Sequence, residues 1–561
     1  MALSTLSCKF GGIGKHTPLS PMGAEDMCNF RILSNGVLRV RSGYTRKKRF
    51  SSGKKVRAVW EGTLGDDFLF FCVVGGTIYR LSGDTLAETA VGSIPDGTES
   101  VNFFAQNDTL YLLDGENIWN YLPSIDKFEV LEPYVPLYGY LWDPTAYGDI
   151  YEPINLLTSK LRVHYYNPNG ETEFRLPYYA NTVEMALAND KRTTNYTFSP
   201  GTNKIIFPSA PIFAEVVITI SLNEDARTAL FAAQKSYIYT RGETSQLFLW
   251  GNDARLFCGK TVTSPMLSSC RALYPKASPL YFCKEDILFL GDSTHPITAL
   301  CPIHNNLLAF TSDRIWNLSI EEEGTQAFLA MHGMGCTSPY GVVSYESGVL
   351  AAMDSGIYYI TTSTSRPQEL SLEHLSIGIE EKFSSEFVDN AHLMRNLADG
   401  EIWMRDPSNT AGDVWVWNFE LKEWYRFSNI PASFFFKCSY GIGFATGSDI
   451  CFFGRSQTTD NGSPIDAYYK SAYLDFGVPD SIRRSMRAFL FASPSKSDCE
   501  VLFETEQKEQ SFQLSTPLYA TAPQLHDMRI ATHRYRFLRF TLSSSAKHQT
   551  EFYRLDIYSG A

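Results

Sequence analysis

The stretch from Asn305 to Ile320, NNLLAFTSDRIWNLSI, runs from a short apolar segment through a polar turn into a second apolar segment. NDTLYLLDGENIWNYL, from Asn107 to Leu122, aligns with it without a gap: Leu110 falls on Leu307, Trp119 on Trp316 and Asn120 on Asn317. The shared pattern is two to four apolar residues, a polar or Gly-containing turn, then Ile or Val and an aromatic. That is the signature of a strand, a tight turn and the next strand.

The same pattern recurs in FLFFCVVGGTIYRL (68–81), LFLWGNDARLFCG (247–259), GVLAAMDSGIYYI (348–360), EIWMRDPSNTAGDVWVW (401–417) and GFATGSDICFFG (443–454). The residues that open the second strand are Ile78, Ile118, Leu256, Ile315, Ile357, Val414 and Ile450. Several intervals are close to 40 residues, the size of a four-stranded propeller blade. A hairpin cannot bury its apolar face alone, so such units stack on their neighbours. The expected fold is all-β: a β-propeller of about seven blades, with six or eight also open. Unrelated hairpins of a β-sandwich are the competing reading. In equivalent blades, Trp119 and Trp316 should both be largely buried.

Breaks in the pattern predict the domain organisation. Residues 1–55 hold Gly, Pro and charge with little periodicity and read as an extended basic N-terminal arm. Residues 56–137 carry the first part of the blades and 223–465 the second. The long interval between Ile118 and Leu256 contains the alternating segments LRVHYY, KIIFPS and EVVITISL, so 138–222 reads as an inserted small β domain. Glu224 to Lys235 has helical spacing. From 466 to 561, alternation such as Tyr553, Leu555 and Ile557 against Arg554 and Asp556 predicts a C-terminal β-sandwich.

Charge sharpens this division. Residues 1–57 hold 12 Lys+Arg against 2 Asp+Glu (net +10), 466–561 hold 12 against 11 (net +1), and 58–465 hold 25 against 48 (net −23). The basic residues Arg39, Arg41, Arg46, Lys47, Lys48 and Arg49 are therefore candidates for docking on an acidic neighbouring subunit or adaptor. The acidic runs Glu321, Glu322 and Glu323, and Glu380 with Glu381, are candidates for lining a channel.

The chemistry of a site is sparse. GGIGKHT (11–17) lacks the first glycine, the hydroxyl residue after its lysine and a following helix, so it is no phosphate loop. No paired His motif, C-x-x-C or G-x-S-x-G occurs, and the eleven cysteines are scattered. No cofactor, metal or catalytic residue is expected, and most cysteines read as reduced core residues. The boxes of sialidase-type propellers are missing from the turns. MALSTLSCKF lacks a basic start and a long apolar core, so no signal peptide is predicted. No apolar run is long enough to span a bilayer, so no membrane insertion is expected.

CKFGGIGKHTPLSPMGAEDMCNFRILSNGVLRVRSGY resembles the opening of a family of tailed-bacteriophage virion proteins, with its Gly-x-Leu-Arg-x-Arg-x-Gly-Tyr ending. LFLWGNDARLFC, SPLYF and HPITALCPIHNNLLAFTSDRIWNLS resemble that family's blade core. YLDFGVPDSIRRSMRAFLF and HRYRFLRFTL resemble its C-terminal sandwich. The order Met27-Cys28-Asn29 departs from the family's Asn-Met.

The family resembled is the propeller-bearing tail nozzle, or tail-stabilisation hub, of short-tailed phages. The resemblance implies a non-enzymatic virion (phage tail) protein, made in the host cytoplasm. It implies a homo-oligomeric ring, six-fold favoured, under the adaptor ring below the portal and at the distal end of the head-to-tail channel. Tail fibres or tail-tip proteins would be further partners, and genomic DNA would pass without specific binding. The other readings are a receptor- or glycan-binding propeller at the tail tip and a carbohydrate depolymerase.

Overall fold

In the computed structural model the alternating segments are strands. The structure describes residues 3–14, 22–97, 101–223, 246–291 and 295–560. It is interrupted at 107, 115–116, 146–151, 156–157, 178, 201, 251–254, 260–265, 274–275, 296, 305, 322–323, 363–368, 385, 440, 478–479, 481, 484, 494–495, 516–521 and 531–533. Apart from one 3-10 turn and the four-residue helix Phe387–Asn390, the regular elements among these residues are all strands. The helix expected over Glu224 to Lys235 lies outside the described residues.

The chain divides into two units, 1–96 with 336–361 and 371–561, and 97–335 with 362–370. In the second unit, Asn102–Gln106, Thr109–Leu113, Ile118–Leu122 and Lys127–Val130 form a four-stranded sheet, as do Ala299–Ile303, Asn306–Phe310, Arg314–Glu321 and Gly324–His332. A third runs through Gln246–Trp250, Arg255–Gly259, Met266–Leu273 and Lys276–Phe289. The repeated segments share one register: Trp119 lies opposite Leu112, and Trp316 opposite Ala309.

Between these sheets the chain builds a module with its own core. Strands from Leu137–Trp142 to Ala214–Leu222 make a five-stranded sheet, which faces a three-stranded one. Leu161, Val163, Tyr165, Val216, Ile218 and Ile220 from the first pack on Phe174 and Ile205 from the second. Glu152 fixes the entry, accepting hydrogen bonds from the Leu137 amide (2.6 Å) and the Tyr134 hydroxyl (2.8 Å). Burial, then that carboxylate, push the Tyr134 phenol up to about 12.

The first unit holds four more such groups of strands. Two are the separate sheets Val56–Leu64 to Ala87–Ser93 and Val342–Tyr345 to Leu370–His374; the third, His392–Asn396 to Glu423–Phe427, is one end of a fifteen-stranded sheet that continues through Leu3–Ile13. The fourth takes Phe434–Cys438, Gly441–Thr446 and Asp449–Phe453 from late in the chain and Tyr44–Arg49 from its start. The leading strands Val342–Tyr345, His392–Asn396, Phe434–Cys438 and Val56–Leu64 touch in that order. Phe436, Ala445, Ile450 and Phe452 pack on Phe50, Val56, Phe70 and Cys72.

Of residues 1–55, expected as an extended arm, the strands Leu3–Ile13, Met22–Cys28, Phe30–Ile32, Leu38–Val40 and Tyr44–Arg49 are instead paired into sheets. Leu3 to Cys8 run antiparallel to Gly560 to Leu555 of the last strand, and Ile13 bridges to Trp424. The apolar side chains Cys8, Phe10, Ile13, Ala24, Met27 and Phe30 all enter the core. Sequence hid this, because their strand partners, such as Gly560 to Leu555 and Trp424, lie hundreds of residues away.

Trp119 and Trp316 occupy equivalent positions, and each is partly exposed, neither fully buried nor on the open surface. Nine of the eleven cysteines have described side chains, and all nine are buried. Burial pushes the Cys8, Cys336 and Cys451 thiols up to about 12, which leaves them unreactive.

Candidate docking residues and a polar cleft

The candidate docking residues divide by burial. Arg41 is 1% exposed, and all five of its N–H groups are used. Nε donates to Asn29 Oδ1 (2.8 Å), Nη1 to the Ser42 carbonyl (3.1 Å) and Asp460 Oδ1 (2.9 Å), and Nη2 to the Ser428 carbonyl (2.8 Å) and Asp460 Oδ2 (2.6 Å). Asn29 adopts a left-handed backbone, φ 59, a conformation that asparagine tolerates better than most residues. Its amide donates to Ser428 Oγ (2.9 Å) and the Asp466 carbonyl (2.7 Å). A buried guanidinium is tolerable when paired and fully hydrogen-bonded, and here it ties residues 29–42 to 428–466. Arg41 is thus a structural residue rather than a docking one. Arg39 donates to Glu551 at 2.6 Å and joins the segment to the last strand.

Arg46, Lys47, Lys48 and Arg49 lie on Tyr44–Arg49, the strand added to the last small sheet. Arg49 holds Asp449 in a fork, 2.7 and 2.8 Å, and Arg46 reaches the same carboxylate at 3.5 Å. The Arg49 hydrogen bonds hold the Asp449 carboxyl below the usual range. Lys48 pairs with Glu88 at 3.0 Å and sits over the Phe50 ring. Lys47 is exposed. Two arginines share one carboxylate, so this strand keeps a cationic surplus.

The acidic candidates are less settled. Glu321 ends the strand Arg314–Glu321. Glu322 and Glu323 lie outside the described residues. Glu380 turns back on its own loop: Oε2 accepts from the Gly378 amide at 2.6 Å, and Oε1 lies 3.3 Å from His374 Nε2. Glu381 is exposed.

Sequence reasoning missed a cleft of ≈ 570 Å³ lined by Asp26, Lys382, Asp406, Asp413, Arg426 and Lys470 among others. Its charges are largely spent on one another. Asp26 Oδ2 accepts from the Tyr468 hydroxyl (2.5 Å) and Arg426 (3.3 Å), and Arg426 reaches Asp413 at 3.7 Å. Asp406 accepts from the Ser408 amide and hydroxyl. Asp406 and Asp413 share one turn, but Asp26 comes from the start of the chain, so no local motif announced the cluster. Among the described residues, no group of three or more His, Cys, Asp or Glu is placed to hold a metal ion. No helix there is long and apolar enough to cross a membrane.

No family model matches the chain, and no curated protein matches it. Among solved structures, the chain is similar to the WD40 domain of SCAP from fission yeast, at 8% identity and a TM-score of 0.30, over 81% of this chain and 94% of that one. It is also similar to a glycoside hydrolase, at 8% identity and a TM-score of 0.19, over 92% of this chain and 99% of that one. At these scores neither likeness bears on function.

Proposed function

We propose that the six four-stranded sheets, together with the four strands His392–Asn396 to Glu423–Phe427, are blades of one β-propeller, and that the chain is a non-enzymatic structural subunit of a phage tail. In this reading, copies form the ring-shaped nozzle at the end of the head-to-tail channel. The observation that carries the propeller is the fourth strand of the last sheet, Tyr44–Arg49, which comes from the start of the chain. Such a strand joins the two ends of a circular array and leaves no open edge. The tail assignment rests on the resemblance of the opening segment. Two residues of its Gly-x-Leu-Arg-x-Arg-x-Gly-Tyr ending are fixed by distant carboxylates, Arg39 by Glu551 and Arg41 by Asp460.

Single-particle imaging of the purified full chain tests both parts. The expected result is a ring, six-fold by preference, with an axial opening. A chain that stays monomeric at high concentration overturns the nozzle, and images without radial blades overturn the propeller.

A second reading, a glycan-binding or carbohydrate-cleaving propeller, is favoured by the cleft that gathers Asp26, Asp406 and Asp413. Paired carboxylates across a cleft are what glycoside hydrolysis uses. Turnover of capsule polysaccharide by the purified chain would establish it.

A further inference from the structure

The outer face of the C-terminal sandwich carries more charge and more exposed apolar surface than its fold requires. Three strands, Gln524–Ile530, Ser485–Ala492 and Glu551–Gly560, lie side by side there. Their registers place the outward side chains in three rows. Arg529, Arg487 and Tyr558 form the first, Asp527, Phe489 and Asp556 the second, and Leu525, Phe491 and Arg554 the third.

Two features of this grid work against the stability of the isolated sheet. Arg487 and Arg529 stand directly opposite each other, a like-charge pair that destabilises a sheet. Asp527 does not relieve it. That carboxylate is forked by Arg487, with Nε at 2.7 Å, and it touches Arg529 only through its longer-range field. Arg554 in turn is taken by Asp556 at 2.8 Å. Arg529 has no ion pair of its own within 4.0 Å among the described residues. Beside this row, Leu525 is 52% and Phe491 38% exposed, and they are direct cross-strand partners. Phe489, under the Arg487 guanidinium at 4.8 Å and against Tyr558, joins the two features. A rigid apolar corner with an unspent guanidinium is the composition of an interface hot spot, where aromatics and arginine dominate.

From this we infer that the face docks on a second copy of the chain, through that copy's acidic central region. Charge complementarity selects this occupant. Residues 58–465 carry net −23, while the sandwich region carries net +1 and a surplus guanidinium on this face. A carboxylate from the neighbour would pair with Arg529 and relieve its repulsion with Arg487. An apolar side chain beside it would cover Leu525 and Phe491. The grid spans roughly 10 by 14 Å, well below the ~800 Å² each partner gives a standard interface. It is the anchor of a larger contact. This inference rests on the ring reading above and names one of its contact faces.

The test compares the full-length wild type with Arg529→Glu and with the double variant Leu525→Ser/Phe491→Ser, following oligomeric state by analytical ultracentrifugation. Arg529 is exposed and has no ion pair among the described residues, and its reversal opposite Arg487 should leave the thermal midpoint no lower than that of the wild type. The expected result is a wild-type oligomer that weakens as salt rises from about 50 to about 500 mM. Arg529→Glu should weaken association at least about tenfold at low salt and flatten its salt dependence. The double variant should weaken it at all salt concentrations. An oligomer that forms equally well with both variants overturns this inference and leaves the ring standing. A wild type that is monomeric throughout overturns both. Retention of single-stranded DNA by the wild type, lost in Arg529→Glu without change of oligomeric state, overturns the second copy as occupant.

Discussion

Trp119 donates its indole N–H to Asp114 Oδ2 at 2.8 Å, and the matching position beside Trp316 is Thr311. The Thr311 hydroxyl turns instead to Asp313 at 3.0 Å. The Trp316 indole N–H is left buried without a hydrogen-bond partner. The repeat has therefore kept the ring at both places and its partner at only one.

The asymmetry gives a prediction. Trp119→Phe should destabilise the chain by about 1–2 kcal/mol, because it removes a hydrogen bond to the buried Asp114 carboxylate, which keeps the Asn117 amide. Trp316→Phe removes a donor that already lacks a partner, and should be neutral or stabilising. Urea unfolding of the two variants decides it, and equal losses would show that the two indoles have equivalent surroundings.

Arg41 and Asp460 make the second case. Arg41→Ala leaves Asp460, only 7% exposed, uncompensated, and should cost about 3–5 kcal/mol. Arg41→Lys keeps the charge but cannot reach the acceptors in a planar fork, so it should recover only part of the loss. Arg49→Ala, at an arginine with 61% side-chain exposure, should leave the unfolding midpoint close to wild type. A midpoint for Arg41→Ala as high as for Arg49→Ala would remove the structural role given to Arg41.

What sequence could reveal follows from which face of each strand is buried. Leu161, Val163 and Tyr165 are buried while Arg162 and His164 between them are not. A strand with one wet face writes that alternation plainly. The repeated Ile/Val-aromatic step falls on the third strand of its sheet at Ile78, Ile118, Ile315, Ile357, Val414 and Ile450. At Leu256 it falls on the second, where the pattern cannot tell a slipped hairpin from its neighbours. Tyr44–Arg49, YTRKKR, carries no such signal. It is held by its backbone and by carboxylates from elsewhere, so it reads as a tail. The Asn29–Arg41 knot was equally illegible, since its partners at Ser428, Asp460 and Asp466 lie about 400 positions away.

His392 sets a pH dependence. Burial first, then the Arg405 guanidinium, lower its imidazole from the ordinary 6.5 to about 4. The folded chain therefore holds this histidine neutral where the unfolded chain protonates it. Its contribution is complete above about pH 6.5 and is lost as pH falls towards 4, amounting to roughly 3 kcal/mol at the lower limit. His392→Phe, packed against Tyr340 in place of the imidazole, should flatten this part of the profile. Thermal midpoints of wild type and variant between pH 7 and pH 4 measure it as a difference. Parallel profiles would show that His392 takes up its proton equally in the folded and unfolded chain.

The last prediction concerns the strand that completes the final small sheet. Tyr44–Arg49 has a burial pattern with no fully buried position, so side-chain burial does little to hold it. Its attachment is the backbone ladder to Asp449–Phe453 together with the fork from Arg49 to Asp449 and the longer contact from Arg46. Removing the shared carboxylate in Asp449→Ala takes away the counter-charge of two guanidiniums and leaves four basic residues in a row. They should then repel one another and fray the strand. Amide hydrogen exchange is the measurement. In Asp449→Ala, the amides of 44–49 and of the facing 449–453 should exchange about tenfold faster or more, as expected for a local opening cheaper by about 1.4 kcal/mol. The strand Gly441–Thr446, between two neighbours in the same sheet, and Phe434–Cys438, at the edge away from Tyr44–Arg49, should keep their protection. Restoring the carboxylate one methylene further out, in Asp449→Glu, should recover part of the protection. Unchanged exchange at 44–49 in Asp449→Ala would mean that the ladder alone secures the strand and that the ion pairs are incidental to closure.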